Sequence, residues 1–251
     1  MPTPLDPIVQ IAAQSSIFNH NWPGRGHAPA GYTKGMALVF GRVLCKLRAG
    51  NAAAMEMAKA NSGDAAHDAL AWYADEFNAL HMRNDSAGAD TLRHLFALML
   101  GLGMRESSGK HCEGRDQSAT NMTAETAEGG LFQTSFNARS ASPLMPALFT
   151  HYKANPSGFI EVFREGVHCS AASLENFGTG DGKEFQKLSK ECPAFAAEFA
   201  AVGLRHMRKH WGPINRKEAE LTTASDAMFM AVQQAIDATP ALCAALVEPN
   251  S

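Results

Sequence analysis

The sequence predicts an all-α fold built around a central buried helix. Three observations point there: apolar residues recur at three-to-four spacing, Gly and Pro punctuate those stretches, and no alternating strand pattern runs longer than a few residues. Residues 1–31, rich in Pro, Asn, Gly and His, read as an irregular arm packed on the domain, with a short helix near Ile8 to Ser15. Residues 32–251 then form one domain, a size at which a single core suffices.

Met36, Leu38, Val39, Val43 and Leu47 mark a first long helix that Gly50 stops. A second, capped by Asp64, carries the stripe Leu70, Trp72, Tyr73, Phe77 and Leu80. Asp90 suits the N-cap of a third, Leu92 to about Glu106. Its apolar residues run all the way round, so it should lie at the centre. Residues 109–126 are polar and aperiodic. Further helices are expected at 143–153, 157–166, 194–211, 225–237 and 240–247, separated by Pro156, the glycines of 178–182, Pro193 and Gly212-Pro213.

Composition narrows the function classes. With 45% hydrophobic and 19% charged residues, a net charge of −3 and no basic tract, nucleic-acid binding is not expected. The longest uncharged apolar run, Leu95 to Met104, is too short to cross a bilayer, so membrane insertion is not expected either. The N-terminus, Met1 to Asp6, lacks a positive start followed by an apolar stretch, so an ordinary cleaved export signal is not expected.

Five cysteines allow at most two intrachain disulfides. Cys45 and Cys243 sit in apolar helical contexts and read as buried packing residues. Cys112, Cys169 and Cys192 lie near loops. A disulfide from Cys112 to either of the other two explains the pairs His111-Cys112 and His168-Cys169 better than a metal site does, because adjacent His and Cys side chains seldom both reach one metal and no C-x-x-C spacing is present. No metal and no cofactor are expected. His206, His210 and Trp211, with Arg205, Arg208 and Lys209 among them, read as a basic helix end that complements the dipole, and Trp211 as a packing residue.

The chemistry concentrates around one acid. Glu106 ends the most apolar helix of the chain, and Gly109 lets the backbone turn away at once. Burial there should raise its pKa, and a carboxylic acid that stays protonated near neutrality is what glycosidic-bond cleavage requires of its proton donor. A second carboxylate can activate water, and the polar loop supplies Glu113, Asp116, Glu125 and Glu128.

Glu106-Ser107-Ser108-Gly109, followed after that loop by Gly130-Leu131-Phe132-Gln133, resembles the goose-type lysozymes and soluble lytic transglycosylases, in which an E-S motif ends a central helix and a G-L-M-Q motif follows. The clear resemblance covers about residues 95–137. It implies a lysozyme-like fold and a muramidase that cleaves the β-1,4 bond between N-acetylmuramic acid and N-acetylglucosamine. Glu106 would be the general acid, and Glu128, Phe132 and Gln133 would contact the saccharide. Goose-type lysozymes carry an aspartate in a G-D-R stretch of the loop. Gly114-Arg115-Asp116 stands here, which makes Asp116 the choice for the residue that orients or activates water.

Three departures are visible. Phe132 stands where the family has Met, Thr134-Ser135 where an acid often follows, and Glu175-Asn176-Phe177-Gly178 where a later helix carries A-Y-N. Transglycosylation to a 1,6-anhydro end, a chitin-type substrate and an inactive glycan-binding protein are the alternatives. The implied partner is the peptidoglycan glycan strand, met by a monomer at the cell wall, in the periplasm or outside the cell. Without an ordinary signal, delivery by a secretion apparatus or a lysis route is expected, and a dedicated inhibitory (immunity) protein is among the partners this admits.

Overall fold

In the computed structural model, residues 3–116 and 123–247 are described. The described residues are 62% helical with two short strands among them, so the all-α class holds. The N-terminal segment forms α1 (Asp6–Gln14), a 3-10 turn at Ser16–Asn19 and a small antiparallel hairpin of β1 (Asn21–Trp22) and β2 (Gly26–His27). There follow α2 (Ala30–Arg48), α3 (Ala52–Met57), α4 (Ala69–Trp72), α5 (Ala74–Ala79) and α6 (Ala89–Ser107). Beyond the loop come α7 (Leu144–Ala154), α8 (Ile160–Phe163), α9 (Ala171–Leu174), α10 (Gly180–Glu191), α11 (Pro193–His206), α12 (Gly212–Asn215), α13 (Thr223–Ala238) and α14 (Leu242–Val247). Among the described residues, no helix is long and apolar enough to cross a membrane.

The core is centred on two helices. Every residue of α6 from Thr91 to Met104 is buried, as its unbroken apolar character predicts. Its partner α2 is buried from Gly31 to Cys45, with Lys34 as the exception. Gly103 brings them together: a Cβ there would sit 2.2 Å from the Tyr32 hydroxyl. That hydroxyl donates to the Leu100 carbonyl oxygen at 2.9 Å, closing the helix-to-helix contact with a buried hydrogen bond. The N-terminal arm is less irregular than its composition suggests, because α1 packs on α2 and α13 and buries Ile8 and Ala12.

Several elements differ from the sequence expectation. The second helix breaks into α4 and α5 at Tyr73, and its cap is Asp68, whose carboxylate accepts from the Leu70 N–H at 3.0 Å; Asp64 instead caps the turn before it. Asp68 is taken up there by Arg205, which also donates to the carbonyls of Met57, Lys59 and Ala60. Asp90 lies in the first turn of α6, not at its cap, and pairs with Arg93. The helix expected over 157–166 is only α8, and the one expected over 194–211 ends at His206. Arg205 and His206 do form a basic last turn of α11, while the residues that follow leave the helix and Lys209 is exposed. Arg208 is buried, stacks 4.0 Å above Trp72 and donates to the Asn215 side chain.

Cys45 and Cys243 are not mere packing residues. They form a disulfide that joins the end of α2 to α14 across 198 residues, a proximity set by the packing of those two helices. The second disulfide joins Cys112 to Cys169, and Cys192 is left as a buried thiol donating to the Ser157 carbonyl oxygen.

Candidate active site

The end of α6 is built to hold an acid out of water. Ser107 Oγ donates back to the Gly103 carbonyl oxygen at 3.0 Å. Ser108 then takes a left-handed conformation (φ 54°), and Gly109 (φ 75°) reverses the chain. Glu106 is thereby held at the last turn, half-buried, where helix carbonyls also oppose a negative charge. Its carboxyl is pushed up to about 8, first by burial and then by the neighbouring Glu128 carboxylate; Glu218 adds to the rise, while Arg25 and Arg216 oppose it.

Those neighbours arrive from remote segments. Arg25, in the β1–β2 turn, donates to the Arg105 carbonyl oxygen and to Ser108 Oγ, clasping the hairpin onto the end of α6. Arg105 Nε donates to the Glu218 carbonyl oxygen at 2.8 Å, and the Glu218 carboxylate pairs with Arg216 at 2.7 Å. Nothing in the sequence pointed to Arg25, Arg216 or Glu218, because charged loop residues so far from Glu106 carry no local signal.

The glycine turn is stitched to the loop before it. The Gly129 N–H donates to the Thr134 carbonyl oxygen at 3.1 Å, closing the turn on itself. The Gly130 N–H donates to the Glu113 carbonyl oxygen at 2.9 Å. Gly130 has φ 77°, and a Cβ there would lie 2.5 Å from the Ser189 carbonyl oxygen of α10, so the turn sits directly on that helix. Beneath Gly129 lies Lys190, buried, with Nζ donating to the Ser173 and Glu175 carbonyl oxygens and its pKa pulled down to about 8 by burial.

The five predicted site residues are placed unequally. Glu106, Glu128 and Asp116 form one electrostatic group: Glu128 acts on Glu106, and Asp116 acts on Glu128. Glu128 is half-buried, and desolvation is the main reason its own pKa rises. Asp116 is exposed, and Arg115 beside it stacks 4.3 Å from the Phe177 ring. Phe177 lies between α9 and α10 rather than on a helix, and it is half-buried.

Phe132 does not line an open surface. Its side chain is fully buried, so the saccharide contact expected of it is replaced by packing beneath the turn. Gln133 takes a left-handed conformation (φ 44°), unusual for a non-glycine residue, and is 9% exposed. Its Nε2 donates inward to the Gly130 carbonyl oxygen at 3.1 Å, so the amide braces the turn.

One aromatic side chain holds the turn from below. Trp211 Nε1 donates to the Phe132 carbonyl oxygen at 2.8 Å, and its ring is buried, in keeping with a packing role. His210 packs edge-on against Trp211 with ring centroids 4.9 Å apart, and burial lowers its pKa. A cavity of about 700 Å³ opens elsewhere, lined by Arg42, Lys46, Leu148 and Tyr152 among others, and holds none of the predicted residues. Of groups that could take a metal, the described residues bring together His111, Cys112 and Cys169, two of them cross-linked.

Compared with known proteins, the chain matches no family model, no curated protein and no solved structure.

Proposed function

We propose that the chain is a lysozyme-like glycoside hydrolase that cleaves the β-1,4 bond between N-acetylmuramic acid and N-acetylglucosamine in peptidoglycan, with Glu106 as the general acid. The observation that carries this is the Glu106 carboxyl, held at the end of a buried helix with its pKa at about 8 and therefore mostly protonated at neutral pH. Holding a carboxyl in such a place costs stability, a cost that a role as proton donor would explain. The E-S and G-L-x-Q motifs supply the substrate class.

In that mechanism Glu106 protonates the leaving glycosidic oxygen. A carboxylate on the other side of the sugar then activates water. Asp116 fills that role, and Glu128, whose charge acts on Glu106 and is acted on by Asp116, tunes Glu106 and binds the sugar's polar edge. Three acids in one electrostatic group favour hydrolysis over an internal attack by the 6-hydroxyl. No cofactor enters. The enzyme works on the glycan strands of the cell wall as a monomer.

Zymography on peptidoglycan with wild type and Glu106→Gln, followed by mass spectrometry of the products, tests this. Clearing by wild type alone, with reducing-end muropeptides, is the expected result. Equal clearing by both removes Glu106 as the acid. Anhydro ends replace hydrolysis by transglycosylation, and no products at all move the substrate to chitin-type oligomers or to binding without cleavage.

A further inference from the structure

The Cys112–Cys169 disulfide has a third group beside it. His111 directs Nε2 towards Cys169 Sγ at 3.7 Å, and its Nδ1 lies 2.9 Å from the Lys190 carbonyl oxygen. A carbonyl only accepts, so the Nδ1 position carries the proton and Nε2 keeps its lone pair, aimed at the sulfurs. The carbonyl that fixes this tautomer belongs to α10 and is itself held, because Lys190 Nζ donates to the Ser173 and Glu175 carbonyl oxygens. His111 and Cys112 are buried and Cys169 is half-buried.

We propose that reduction of this disulfide converts His111, Cys112 and Cys169 into a site for a borderline-soft divalent cation of the Zn2+ class, with a fourth position open to water. The three donor atoms already lie within 4.8 Å of one another. Bond lengths of about 2.3 Å to sulfur and about 2.0–2.1 Å to nitrogen give tetrahedral edges of roughly 3.8 Å between sulfurs and roughly 3.6 Å between sulfur and nitrogen. The His111–Cys169 separation of 3.7 Å matches the second edge as it stands. With Cα atoms 5.9 Å apart, the two sulfurs reach the first edge by side-chain rotation.

The electrons balance with a dithiol reductant. It passes two electrons and two protons to the Cys112–Cys169 bond and becomes a disulfide itself. The cation then displaces the two thiol protons to solvent. Two thiolates, a neutral imidazole and a divalent cation sum to zero charge, which suits a half-buried site. The two states exclude each other, since a sulfur bonded to sulfur is a poor ligand. Either tie holds the segment after Cys112, whose Glu113 carbonyl oxygen supports Gly130. The loop would thus stay fastened in reducing and oxidising surroundings alike.

The test uses the full chain, oxidised or reduced with a phosphine, titrated with Zn2+ against a chromophoric chelator and with Co2+ for a thiolate-to-metal charge-transfer band. One equivalent of zinc and a cobalt–thiolate band are expected in the reduced chain only. His111→Gln should weaken binding by at least about tenfold. Changing the neighbouring exposed His168 to Gln, or the separate buried Cys192 to Ser, should leave it unchanged. The Cys112→Ser/Cys169→Ser variant keeps the other three thiols and should lose the site. If the reduced chain loses helicity, one equivalent of zinc should restore its far-ultraviolet circular dichroism. Binding that is equal in both redox states, binding retained by the double variant, or a reduced chain that zinc neither occupies nor refolds overturns the proposal.

Discussion

Trp211 Nε1 donates to the Phe132 carbonyl oxygen at 2.8 Å, joining residues 79 apart and fixing the underside of the glycine turn. A buried acceptor left without its donor costs about 1–3 kcal/mol. Trp211→Phe should therefore lower stability by that amount in urea denaturation. It should also reduce peptidoglycan clearing, because the turn it releases carries Glu128 at its entry.

Phe132 gives the complementary case. Its ring is fully buried, so its size matters and its aromaticity does not. Phe132→Met should cost less than about 1.5 kcal/mol and leave activity within roughly twofold, as expected of a volume-conserving change. Phe132→Ala should cost about 3–5 kcal/mol. A large loss of activity in Phe132→Met at unchanged stability would return the ring to the saccharide.

The charges around Glu106 should move the alkaline limb of the pH–rate profile in opposite directions. Glu128 raises the Glu106 pKa and Arg25 lowers it. Activity of wild type should fall as Glu106 ionises, with a midpoint near 8. Glu128→Gln should bring that midpoint down, and Arg25→Gln should move it up. Limbs that stay together in all three proteins would show that some other group sets the profile.

Stability should depend on pH from both sides. The folded chain holds the Glu106 proton up to about 8, whereas the unfolded chain releases it near 4.5. Between those values the folded state binds more protons, so stability falls as pH rises, by on the order of a few kcal/mol in all. Glu106→Gln should flatten that fall and be the more stable protein at pH 8. The buried His94 and His111 and the half-buried His210 have lowered pKa values, so the folded state binds fewer protons than the unfolded chain below 6.5 and stability falls again on acidification. Thermal unfolding of both proteins across pH 5–9 checks both signs.

The Cys45–Cys243 disulfide closes a loop of 198 residues. Cys243→Ser should lower stability by about 2–5 kcal/mol, with the apparent Tm as readout. An unchanged Tm would mean that the packing of α14 on α2 already supplies the restraint.

Much of this was visible in the sequence where a single segment carried the signal. The central helix was legible because its apolar residues leave no polar face, and only its start was misjudged, since Gly88 leads into α6 with no side-chain cap. Helix α10 was missed for the opposite reason. Its buried residues include Gln186, Ser189 and Lys190, and the first and last are buried because they hydrogen-bond to loop backbone, so no apolar period shows. Glu106 could be picked out from its position alone. Arg25, Arg216 and the Cys45–Cys243 bond depend on contacts between distant segments, which local pattern does not encode.

The most direct measurement is a carboxyl-carbon NMR titration of Glu106 in the intact protein. A midpoint at about 8, lower in Glu128→Gln, is the expected result for a proton donor held neutral at the end of α6. A midpoint at the ordinary value of 4.5 would contradict it.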